Sequence, residues 1–524
     1  MVRWWDHHPS IWATFPWDSQ NHGFAVDAHR RRYVRQWGSR SWRAKLSLVL
    51  LLAPDVRIPG RAAIDRAKAE LERRLGPSKV LTSADACALY ASDDSDVRGR
   101  APDAVVIAAS ASDVAAALEV AEACEVPVTP RAGGTGRTGG AVPVAGGIVL
   151  ATHALARIKE IDRANLIAVV EPGVITGALH EAVEREGLFY APDPNSLESC
   201  CIGGNLAENA GGPRAFKYGV TRDWVLGLEA CLMGGRVVRS GKRTVKGVTG
   251  YDVTALLVGS EGTLGVFTEA TLRLVPKPPA IATALALFTD VRAAADTVGA
   301  IVAAGIVPRC LEMLDSATLG AVRASGVAID LRAGAMLLVE VDGEASESVL
   351  ERLGELASER PGCIDVVVAQ DAGQRDRLWA ARRMLSKATR KLARHKLSED
   401  VVVPRTRITD LLARTEAIGA STGVRHLTYG HAGDGNLHVN FLWDDDAERP
   451  AVDRAIGLLM RATVELGGTL SGEHGIGVSK APYLRLEQSD DLIALQRDIK
   501  RAFDPKDLLN PGKIFPTDGG HRAC

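Results

Sequence analysis

The sequence predicts a chain of class α+β that folds into more than one domain. Its length, 524 residues, suits two or three domains, each with a core of its own. Short apolar segments typical of strands alternate with segments of helical period. At residues 104–107 and 114–124 this alternation indicates an α/β unit, and in the second half of the chain it is looser, as in an α+β sheet domain. The run Pro276-Lys277-Pro278-Pro279 then interrupts the alternation. We therefore predict domains at residues 57–277 and 278–524, preceded by an atypical segment at 1–56.

Composition excludes several classes of protein. Hydrophobic residues make up 46% of the chain and charged residues 24%, which is ordinary for a globular protein. The formal net charge of −1 offers no basic excess for a nucleic-acid partner, so none is expected. Eight cysteines occur without a CxxC pair, which favours a reducing compartment. No apolar run reaches the roughly 18 residues that a membrane-spanning helix needs. We expect a cytoplasmic protein, and peripheral contact with the inner membrane stays open.

The segment 1–56 differs from the rest of the chain. Six of the nine tryptophans lie within the first 42 residues, together with the basic run Arg30-Arg31-Arg32. We expect an extension without fixed structure, or a stretch that was included because translation was assigned an upstream start. A targeting or membrane-contact segment is the alternative.

Hydrophobic periodicity and capping residues predict the helices and strands, which follow here in chain order. A helix begins near residue 61 and stops before Gly76-Pro77, and Ser112 or Asp113 caps the helix at 114–124. The next strand begins near residue 126. The remaining predicted elements are strands at 148–150, 168–170, 282–288 and 335–341, and helices at 176–186, 291–304, 378–395 and 489–502.

Three glycine clusters predict loops that approach a ligand closely. In the first, PRAGGTGRTGG at residues 130–140, the spacing of Gly134, Gly136 and Gly139 matches the dinucleotide fingerprint. The residues that follow, AVPVAGG, cannot form the helix that this fingerprint requires. The exposed N–H groups of such a loop predict an anion nest for a pyrophosphate, and a flexible linker is the alternative. With the clusters at 202–212 and 259–265, the pattern favours a large ligand with many polar atoms.

Residues 431–438 read HAGDGNLH and predict a β-hairpin. Asp434-Gly435 is a strong signal for a two-residue turn between apolar strands. In that register His431 lies directly opposite His438, with Cβ atoms roughly 5 Å apart. This distance suits two imidazoles that bind one metal ion.

The segment SGEHGIG at residues 471–477 completes the predicted site. Glu473 is the candidate third metal ligand, which leaves coordination positions open as catalytic sites require. The adjacent His474 is then free to act as a base. The alternative is that one or more of these histidines only form hydrogen bonds in a polar core.

The predicted helix at 378–395 is strongly basic. A solvated basic face is one interpretation, and a cation that points inward to bind a carboxylate is the other. Its cations are Arg382, Arg383, Lys387, Arg390, Lys391 and Arg394.

Eight motifs, in order, resemble the FAD-linked oxidases of the vanillyl-alcohol oxidase and p-cresol methylhydroxylase superfamily. Within it the chain is most similar to the group of D-lactate dehydrogenase, glycolate oxidase flavoprotein subunit and D-2-hydroxyglutarate dehydrogenase. The resemblance runs from about residue 61 to residue 516. The motifs are PRAGGTGRTGG, IGGNLAENAGG, KYG, GYD, GSEGTLG, GHAGDGNLH, SGEHGIG and FDPKDLLNPGK.

The resemblance implies a PCMH-type FAD-binding domain of two α+β subdomains, followed by an α+β cap domain with an antiparallel sheet. The last segment of the chain returns to the flavin. FAD is expected to be non-covalent, because the first glycine loop contains no histidine. Arg137 departs from the family pattern, which more often has an apolar residue there. The implied FAD contacts are Pro130, Arg131, Gly133, Gly134, Thr135, Gly136, Gly139, Gly140, Pro192, Gly203, Gly204, Asn205, Asn209, Gly211, Gly262, Val266 and Asn510.

The resemblance also implies roles for the residues of the second half. The metal ligands are His431, His438 and Glu473, with zinc or manganese as the ion. His474 is the catalytic base and Arg382 grips the substrate carboxylate. Lys396 matches a second carboxylate contact, and Asn440 a polar group on the substrate side.

The implied activity is the FAD-dependent oxidation of a D-2-hydroxy acid to the 2-oxo acid. D-lactate is favoured, or glycolate. In this chemistry the metal binds the α-hydroxyl, the histidine takes its proton, and hydride passes to flavin N5. A D-2-hydroxyglutarate dehydrogenase and a transferase similar to alkyl-dihydroxyacetone-phosphate synthase are the alternatives. The electron acceptor is expected to be a quinone, a cytochrome, or an iron–sulfur or flavoprotein partner, and a homodimer stays open.

Overall fold

The computed structural model describes residues 56–516, so the prediction of an atypical N-terminal segment lies almost entirely outside the described residues. The first sheet of the described part has four strands in the order β1-β2-β4-β3, and both β2 and β3 run parallel to β4. Its strands are β1 (Val80–Leu81), β2 (Ala104–Ile107), β3 (Val128–Arg131) and β4 (Ile148–Ala151). The helices of this part are α1 (Arg61–Leu75), α2 (Ala84–Ala88) and α3 (Ala111–Cys124).

The second sheet is antiparallel and has five strands in the order β5-β6-β10-β8-β9. Its strands are β5 (Ile158–Asp162), β6 (Ile167–Val170), β8 (Val225–Cys231), β9 (Val237–Gly241) and β10 (Val266–Arg273). A separate pair is formed by β7 (Leu188–Phe189) and β11 (Val275–Pro276). The helices in this stretch are α4 (Thr176–Arg185), α5 (Ile202–Glu208), α6 (Ala215–Tyr218) and α7 (Val253–Leu257).

The third sheet is the largest, with seven antiparallel strands in the order β15-β12-β14-β13-β17-β18-β16. Its strands are β12 (Ile281–Phe288), β13 (Cys310–Leu314), β14 (Ala335–Asp342), β15 (Cys363–Val368), β16 (His395–Val402), β17 (Arg425–His431) and β18 (Asn436–Trp443). The helices between them are α8 (Val291–Ala303), α9 (Ser316–Ala324), α10 (Ser346–Ser358), α11 (Ala372–Thr389), α12 (Ile408–Thr422) and α13 (Arg449–Glu465). One apolar core joins Ile301, Leu411 and Leu459 of these helices to Phe441 of the sheet.

The last part of the described chain folds back onto the first sheet. It contains α14 (Leu484–Glu487) and α15 (Asp490–Phe503), after which Leu509 bridges to Val128 of β3. Leu508 and Leu509 are fully buried in the core of the first sheet. The domain boundary that we proposed at 277/278 falls between β11, which pairs with β7, and β12, the first strand of the third sheet. Within residues 56–516, no helix combines the length and apolarity that a bilayer crossing requires.

The predicted basic helix at 378–395 is wrong in position. Helix α11 ends at Thr389, and His395 begins strand β16. Asp371 caps the start of α11 by accepting a hydrogen bond from the backbone N–H of Gln374. The ring of His395 stacks on Trp443 of the paired strand, with centroids 5.2 Å apart. Pairing in the sheet therefore overrides the helical propensity of this stretch.

Two local predictions in the first half are also corrected. The cap of α3 is Ser110, whose hydroxyl accepts from the N–H of Asp113 at 3.1 Å. The second glycine cluster, predicted as a loop, begins instead with helix α5. A Cβ at Gly203 in this helix would lie 2.7 Å from Cβ of Pro172. Glycine is needed there for close packing, and the helix ends at Glu208, directly before Asn209, which has a positive φ of 53°.

Candidate active site

The predicted hairpin is present, but its register is wrong by two residues. Strands β17 and β18 pair so that His431 lies opposite Asn436, and Tyr429 lies opposite His438. A shift of two residues leaves both histidines on the same face of the sheet. The two imidazoles are therefore diagonal neighbours, and their ring centroids lie 5.3 Å apart.

The turn has four residues because its backbone groups bond to neighbouring segments and not across the hairpin. The N–H of Gly433 donates to the carbonyl oxygen of Leu311 on β13 at 3.2 Å. The carbonyl oxygen of Gly435 accepts from the N–H of Val403 at 3.1 Å. Gly435 has a φ of +83°, a value that favours glycine. Contacts with distant parts of the chain thus set the register.

Glu473 lies beside both histidines of the hairpin. Its Oε1 atom is 3.4 Å from Nε2 of His438 and 3.7 Å from Nε2 of His431. One ligand atom from each of the three residues lies within 4.8 Å of the others. Neither Nε2 atom makes a hydrogen bond, although both histidines are buried. Buried ring nitrogens without a hydrogen bond are costly unless another group satisfies them.

The charges of His438 and Glu473 suit a divalent cation. Burial alone would lower the pKa of His431, but Glu312 and Glu473 raise it, so His431 would release a proton on binding such an ion. Burial lowers the pKa of His438 to about 3, so its imidazole is neutral. Burial alone would raise the pKa of Glu473, but the neighbouring imidazoles lower it to about 2. A neutral imidazole and a carboxylate are ligands that zinc and similar ions take. The alternative, that these histidines only form hydrogen bonds in a polar core, accounts for one of their ring nitrogens. This is Nδ1 of His431, which lies 2.5 Å from Glu312 Oε1. The residues therefore fit a divalent ion.

Glu312 on β13 connects His431 to Arg382 of helix α11. Its Oε2 atom accepts a hydrogen bond from Nε of Arg382 at 2.6 Å. Burial alone would raise the pKa of Glu312, but the positive charges of His431 and Arg382 lower it to about 2. Arg382 is only 5% exposed, and its Nη2 atom makes no hydrogen bond. The guanidinium lies 5.3 Å from the ring of Tyr429, so it is fixed in place with free N–H groups for a carboxylate.

His474 is oriented by Asp400 of β16. Its Nδ1 atom lies 3.3 Å from Asp400 Oδ1, and its backbone N–H donates to Oδ2 at 3.1 Å. Asp400 also accepts the N–H groups of Gly472 and Glu473 and is ion-paired with Lys480. Burial lowers the pKa of His474 even though Asp400 opposes this shift. A neutral imidazole held through Nδ1 can accept a proton at Nε2.

A single cavity of about 920 Å³ connects this cluster to the glycine loops. At one end its wall includes Arg382, Tyr429, His438, Glu473 and His474. At the other end it is lined by twelve of the predicted cofactor contacts: Pro130, Arg131, Gly133, Gly134, Thr135, Gly136, Gly140, Gly203, Gly204, Asn205, Gly262 and Val266. The volume is at the upper end of the range for ligand pockets, roughly 300–1,000 Å³.

Hydrogen bonds connect the glycine loops to the segment that carries His474. Thr138 Oγ1 of the first loop donates to the carbonyl oxygen of His474 at 3.0 Å. The carboxylate of Glu261, in the third glycine cluster, accepts the N–H groups of Ile476 and Gly477 at 2.8 and 2.7 Å. The two ends of the cavity therefore form one hydrogen-bonded unit.

Five predicted cofactor contacts do not reach the cavity wall. Asn510 lies behind residues of the cavity wall, and its Nδ2 donates to the carbonyl oxygens of Gly140 and Glu261. Pro192 accepts a hydrogen bond from His180 at its carbonyl oxygen. The five residues are Gly139, Pro192, Asn209, Gly211 and Asn510.

The two remaining predicted substrate contacts, Asn440 and Lys396, do not line the larger cavity. Asn440 is fully buried, its Nδ2 donates to the carbonyl oxygen of His438, and it does not line the cavity. Lys396 lines a second cavity and donates to Thr389 Oγ1 at 2.8 Å. Burial lowers the pKa of Lys396 to about 7, with help from the positive charge of Arg137.

Sequence reasoning missed Glu312, Asp400 and Glu261. Each is a buried carboxylate that positions a site residue and does not face the ligand directly. A signal was present for Glu312, which is the lone charged residue in the strand sequence CLEML. A buried acid in such a strand needs a partner. No comparable signal marked Glu261, which lies in a glycine cluster that we read as a loop.

Comparisons with known proteins identify the family of this chain. The "FAD binding domain" family matches residues 102–241, and "FAD linked oxidases, C-terminal domain" matches residues 277–514. The glycolate oxidase subunit GlcD of Bacillus subtilis is 44% identical over 388 residues, which are 73% of this chain and 82% of that protein. The D-lactate dehydrogenase of Anaerostipes hadrus is 34% identical over 458 residues, which are 84% of this chain and 96% of that protein.

The fold is also found among solved structures. p-Cresol methylhydroxylase with substrate bound superposes with a TM-score of 0.73 at 16% identity and covers 87% of this chain and 98% of its own. Identity this low shows the fold alone. The predicted fold class, α+β with a PCMH-type FAD-binding domain and an antiparallel sheet in the second half, is confirmed.

Proposed function

Because this chain belongs to the family of FAD-linked oxidases, we propose that it oxidises a D-2-hydroxy acid to the 2-oxo acid with non-covalent FAD. D-lactate or glycolate is the substrate that we favour, because the D-lactate dehydrogenase and the glycolate oxidase subunit described above are 34% and 44% identical to this chain. One observation carries the proposal. Arg382, His474 and two residues of the three-ligand cluster, His438 and Glu473, line one cavity together with the glycine loops.

His431, His438 and Glu473 are the residues that would hold a divalent ion, zinc or manganese. Two imidazoles and a carboxylate leave positions open, as catalytic sites require. When bound, such an ion supplies Lewis acidity and lowers the pKa of a coordinated hydroxyl group. Nδ1 of His431 donates to Glu312, an arrangement that orients metal-binding histidines in many proteins.

Arg382 would bind the carboxylate of the substrate. Nε of Arg382 already donates to Glu312, whereas Nη2 of the same guanidinium has no hydrogen-bond partner and is available to the substrate. A planar guanidinium and a carboxylate form paired, charge-assisted hydrogen bonds. Tyr429 keeps the guanidinium in place from one face. The arginine therefore orients the acid within the cavity.

His474 would take the proton of the α-hydroxyl at Nε2. Asp400 holds its Nδ1 and stabilises the imidazolium that forms. Asp400 is suited to this role because its charge is fixed by Lys480 and three backbone N–H groups. When bound, FAD supplies the redox step by accepting two electrons from the substrate.

The test is anaerobic bleaching of the flavin absorbance by matched D- and L-isomers of 2-hydroxy acids, with and without a chelator. We expect the D-isomer to bleach the flavin, the L-isomer to leave it oxidised, and chelation to stop the reaction. A holoenzyme that no 2-hydroxy acid reduces would refute the dehydrogenase function and favour a transferase without net oxidation. Bleaching that persists in metal-free protein would refute the role of the ion alone.

The same proposal requires an external electron acceptor, because reduced flavin must be reoxidised. We propose a quinone, a cytochrome, or an iron–sulfur or flavoprotein partner. A cytoplasmic location with access to the inner membrane would suit the first two classes. Reoxidation of the bleached flavin by each class, followed by stopped flow, would separate them.

A further inference from the structure

The segment that follows strand β9 forms an exposed loop, and we call its residues 242–251 the basic loop. Among the described residues, its Val245, Val248 and Tyr251 are 92%, 99% and 98% exposed, and no other large apolar side chain there exceeds 86%. Tyr251 belongs to the GYD motif, yet it does not line the cavity of the candidate active site. The proposed chemistry therefore leaves these three side chains without a role.

The basic loop also carries positive charge. Its cations are Lys242, Arg243 and Lys246, and no aspartate or glutamate occurs between residues 240 and 251. Arg243 is already ion-paired with two acids of β5, at 2.6 and 4.0 Å. Nζ of Lys242 donates to the carbonyl oxygen of Gly247 at 3.1 Å, an acceptor without a net charge. The loop therefore presents the charges of its two lysines beside its apolar side chains.

Hydrogen bonds fix the basic loop at both ends and within its turn. The backbone N–H of Lys242 donates to the carbonyl oxygen of Leu226 on β8 at 2.8 Å. Thr244 Oγ1 donates to the carbonyl oxygen of Lys246 at 2.7 Å. Directly after the loop, the side chain of Asp252 caps helix α7. A loop that is ordered in advance loses less conformational entropy when it meets another surface.

The size and shape of the basic loop favour a membrane surface over a protein partner. A stable protein–protein interface takes about 20–30 residues from each side, and the loop offers ten. Side chains that are more than nine-tenths exposed project from the molecule and form no pocket for a partner side chain. A bilayer needs no such pocket. Apolar side chains enter the boundary between headgroups and acyl chains, and neighbouring cations meet anionic headgroups.

We propose that the basic loop docks this protein onto an anionic lipid surface. Val245, Val248 and Tyr251 enter the interface, and Lys242 and Lys246 contact the headgroups. Tyrosine suits this position because its ring is apolar and its hydroxyl group stays in contact with water. The inference goes beyond the proposed function and does not depend on which substrate the enzyme oxidises.

The test is co-sedimentation of the purified holoenzyme, with its complete chain, with lipid vesicles. One set contains phosphatidylcholine alone, and the other adds about 30 mol% of the anionic lipid phosphatidylglycerol. We expect the parent protein to bind the anionic vesicles more tightly. Lys242→Gln/Lys246→Gln should weaken this binding by about 25-fold, since each cation near an anionic surface contributes about fivefold. Val245→Ser/Val248→Ser/Tyr251→Ser should weaken it by about 10- to 100-fold, because less apolar surface is buried.

Two substitutions outside the loop are the matched controls. Leu331→Ser removes an apolar side chain that is 86% exposed, and Arg66→Gln removes an exposed charge on α1. Neither should change binding. Every variant should keep the flavin absorbance of the parent, which shows that the fold is intact. Added salt should weaken binding of the parent more than that of the double lysine variant, because salt screens exposed charges.

Three outcomes would overturn the proposal. Equal binding of the parent and both loop variants would place the membrane contact elsewhere, for example in the segment 1–56. Equal losses in the two controls would show that binding does not depend on the basic loop. A parent that sediments with neither kind of vesicle would make an acidic protein surface the occupant of the loop. Binding to phosphatidylcholine as tight as to the anionic vesicles would remove the role of the lysines.

Discussion

Asp400→Asn is the substitution that tests the centre of the site most directly. It keeps the shape of the side chain and removes one charge. Asp400 is fully buried, and its carboxylate accepts three backbone N–H groups and pairs with the ammonium of Lys480. Burial would raise its pKa, but His474 and Lys480 hold it well below its usual value. The charge of this carboxylate therefore interacts with both a buried lysine and the proposed base.

The expected loss of stability follows from the burial of Lys480. This side chain is only 2% exposed, so Asp400→Asn leaves a buried ammonium whose remaining acid is Glu399, 4.0 Å away and with a pKa that burial raises to about 7. Breaking a buried ion pair from one side costs about 3–5 kcal/mol of unfolding free energy. In Lys480→Met, Asp400 keeps its hydrogen bonds from the backbone and from Ser471. The loss of unfolding free energy in this variant should therefore lie at the lower end of that range. In the double variant no unpaired charge remains, and its cost should fall below the sum of the single costs by at least about 2 kcal/mol.

The assay is urea unfolding of the four proteins, followed by tryptophan fluorescence, combined with turnover. Asp400→Asn should also lower kcat by about 100-fold, because His474 loses the carboxylate that stabilises its protonated form. Lys480→Met keeps that carboxylate, so its kcat should fall by less than about tenfold. Additive stability costs would refute the ion pair. Equal losses of kcat in both single variants would refute the orienting role of Asp400.

Three further predictions address the other parts of the site. His431→Ala should abolish turnover and leave FAD bound, measured by activity and flavin absorbance; loss of the flavin would contradict the division between ligand cluster and glycine loops. Burial lowers the pKa of Lys396 to about 7, so its charge is present below that pH and is lost above it. KM for the substrate should rise above pH 7, and Lys396→Arg should move this limb upward; an unchanged profile would exclude Lys396 from substrate binding. Gly203→Val should lower the flavin content, because a Cβ would lie 2.7 Å from that of Pro172; a matched Gly299→Val on α8, where nothing lies within 4 Å of the added Cβ, should not.

The hairpin shows both what the sequence could predict and where such prediction ends. The turn signal at Asp434-Gly435 located the two strands correctly. It could not set the register, because Leu311 and Val403 compete for the backbone groups of the turn. Both partners are remote in the chain from the turn that they shape. The histidines nevertheless remain on one face, since the error is an even number of residues.

The misplaced basic helix has the same kind of cause. Local propensity cannot distinguish residues 390–395 from a helix, because arginine, lysine, leucine and alanine all favour one. The end at Thr389 follows from the pairing of β16 with β18, which has a register eight residues long. The choice of Arg382 did not depend on the bounds of this helix, because the family resemblance singled it out among the six cations.

The buried carboxylates were harder to find than the groups that they serve. Motifs located the histidines and the glycine loops, whose residue types carry chemistry by themselves, and the family resemblance pointed to Arg382. Glu312 and Asp400 act only through partners 119 and 74 positions away, His431 and the backbone N–H of His474. A single sequence contains no record of such pairs. The structure is required to show which buried acid belongs to which cation or imidazole.

Thr138 connects the two chemical halves of the cavity. It lies in the first glycine loop, and its carbonyl oxygen accepts the N–H groups of Val478 and Ser479. Its hydroxyl donates to the backbone of His474, and a Cβ at Gly477 would lie 2.3 Å from its carbonyl oxygen. The loop proposed to bind the pyrophosphate therefore cannot move without moving the proposed base. Binding in the loop and the position of the base are thus coupled, so a cofactor that orders the loop also fixes the imidazole against its substrate.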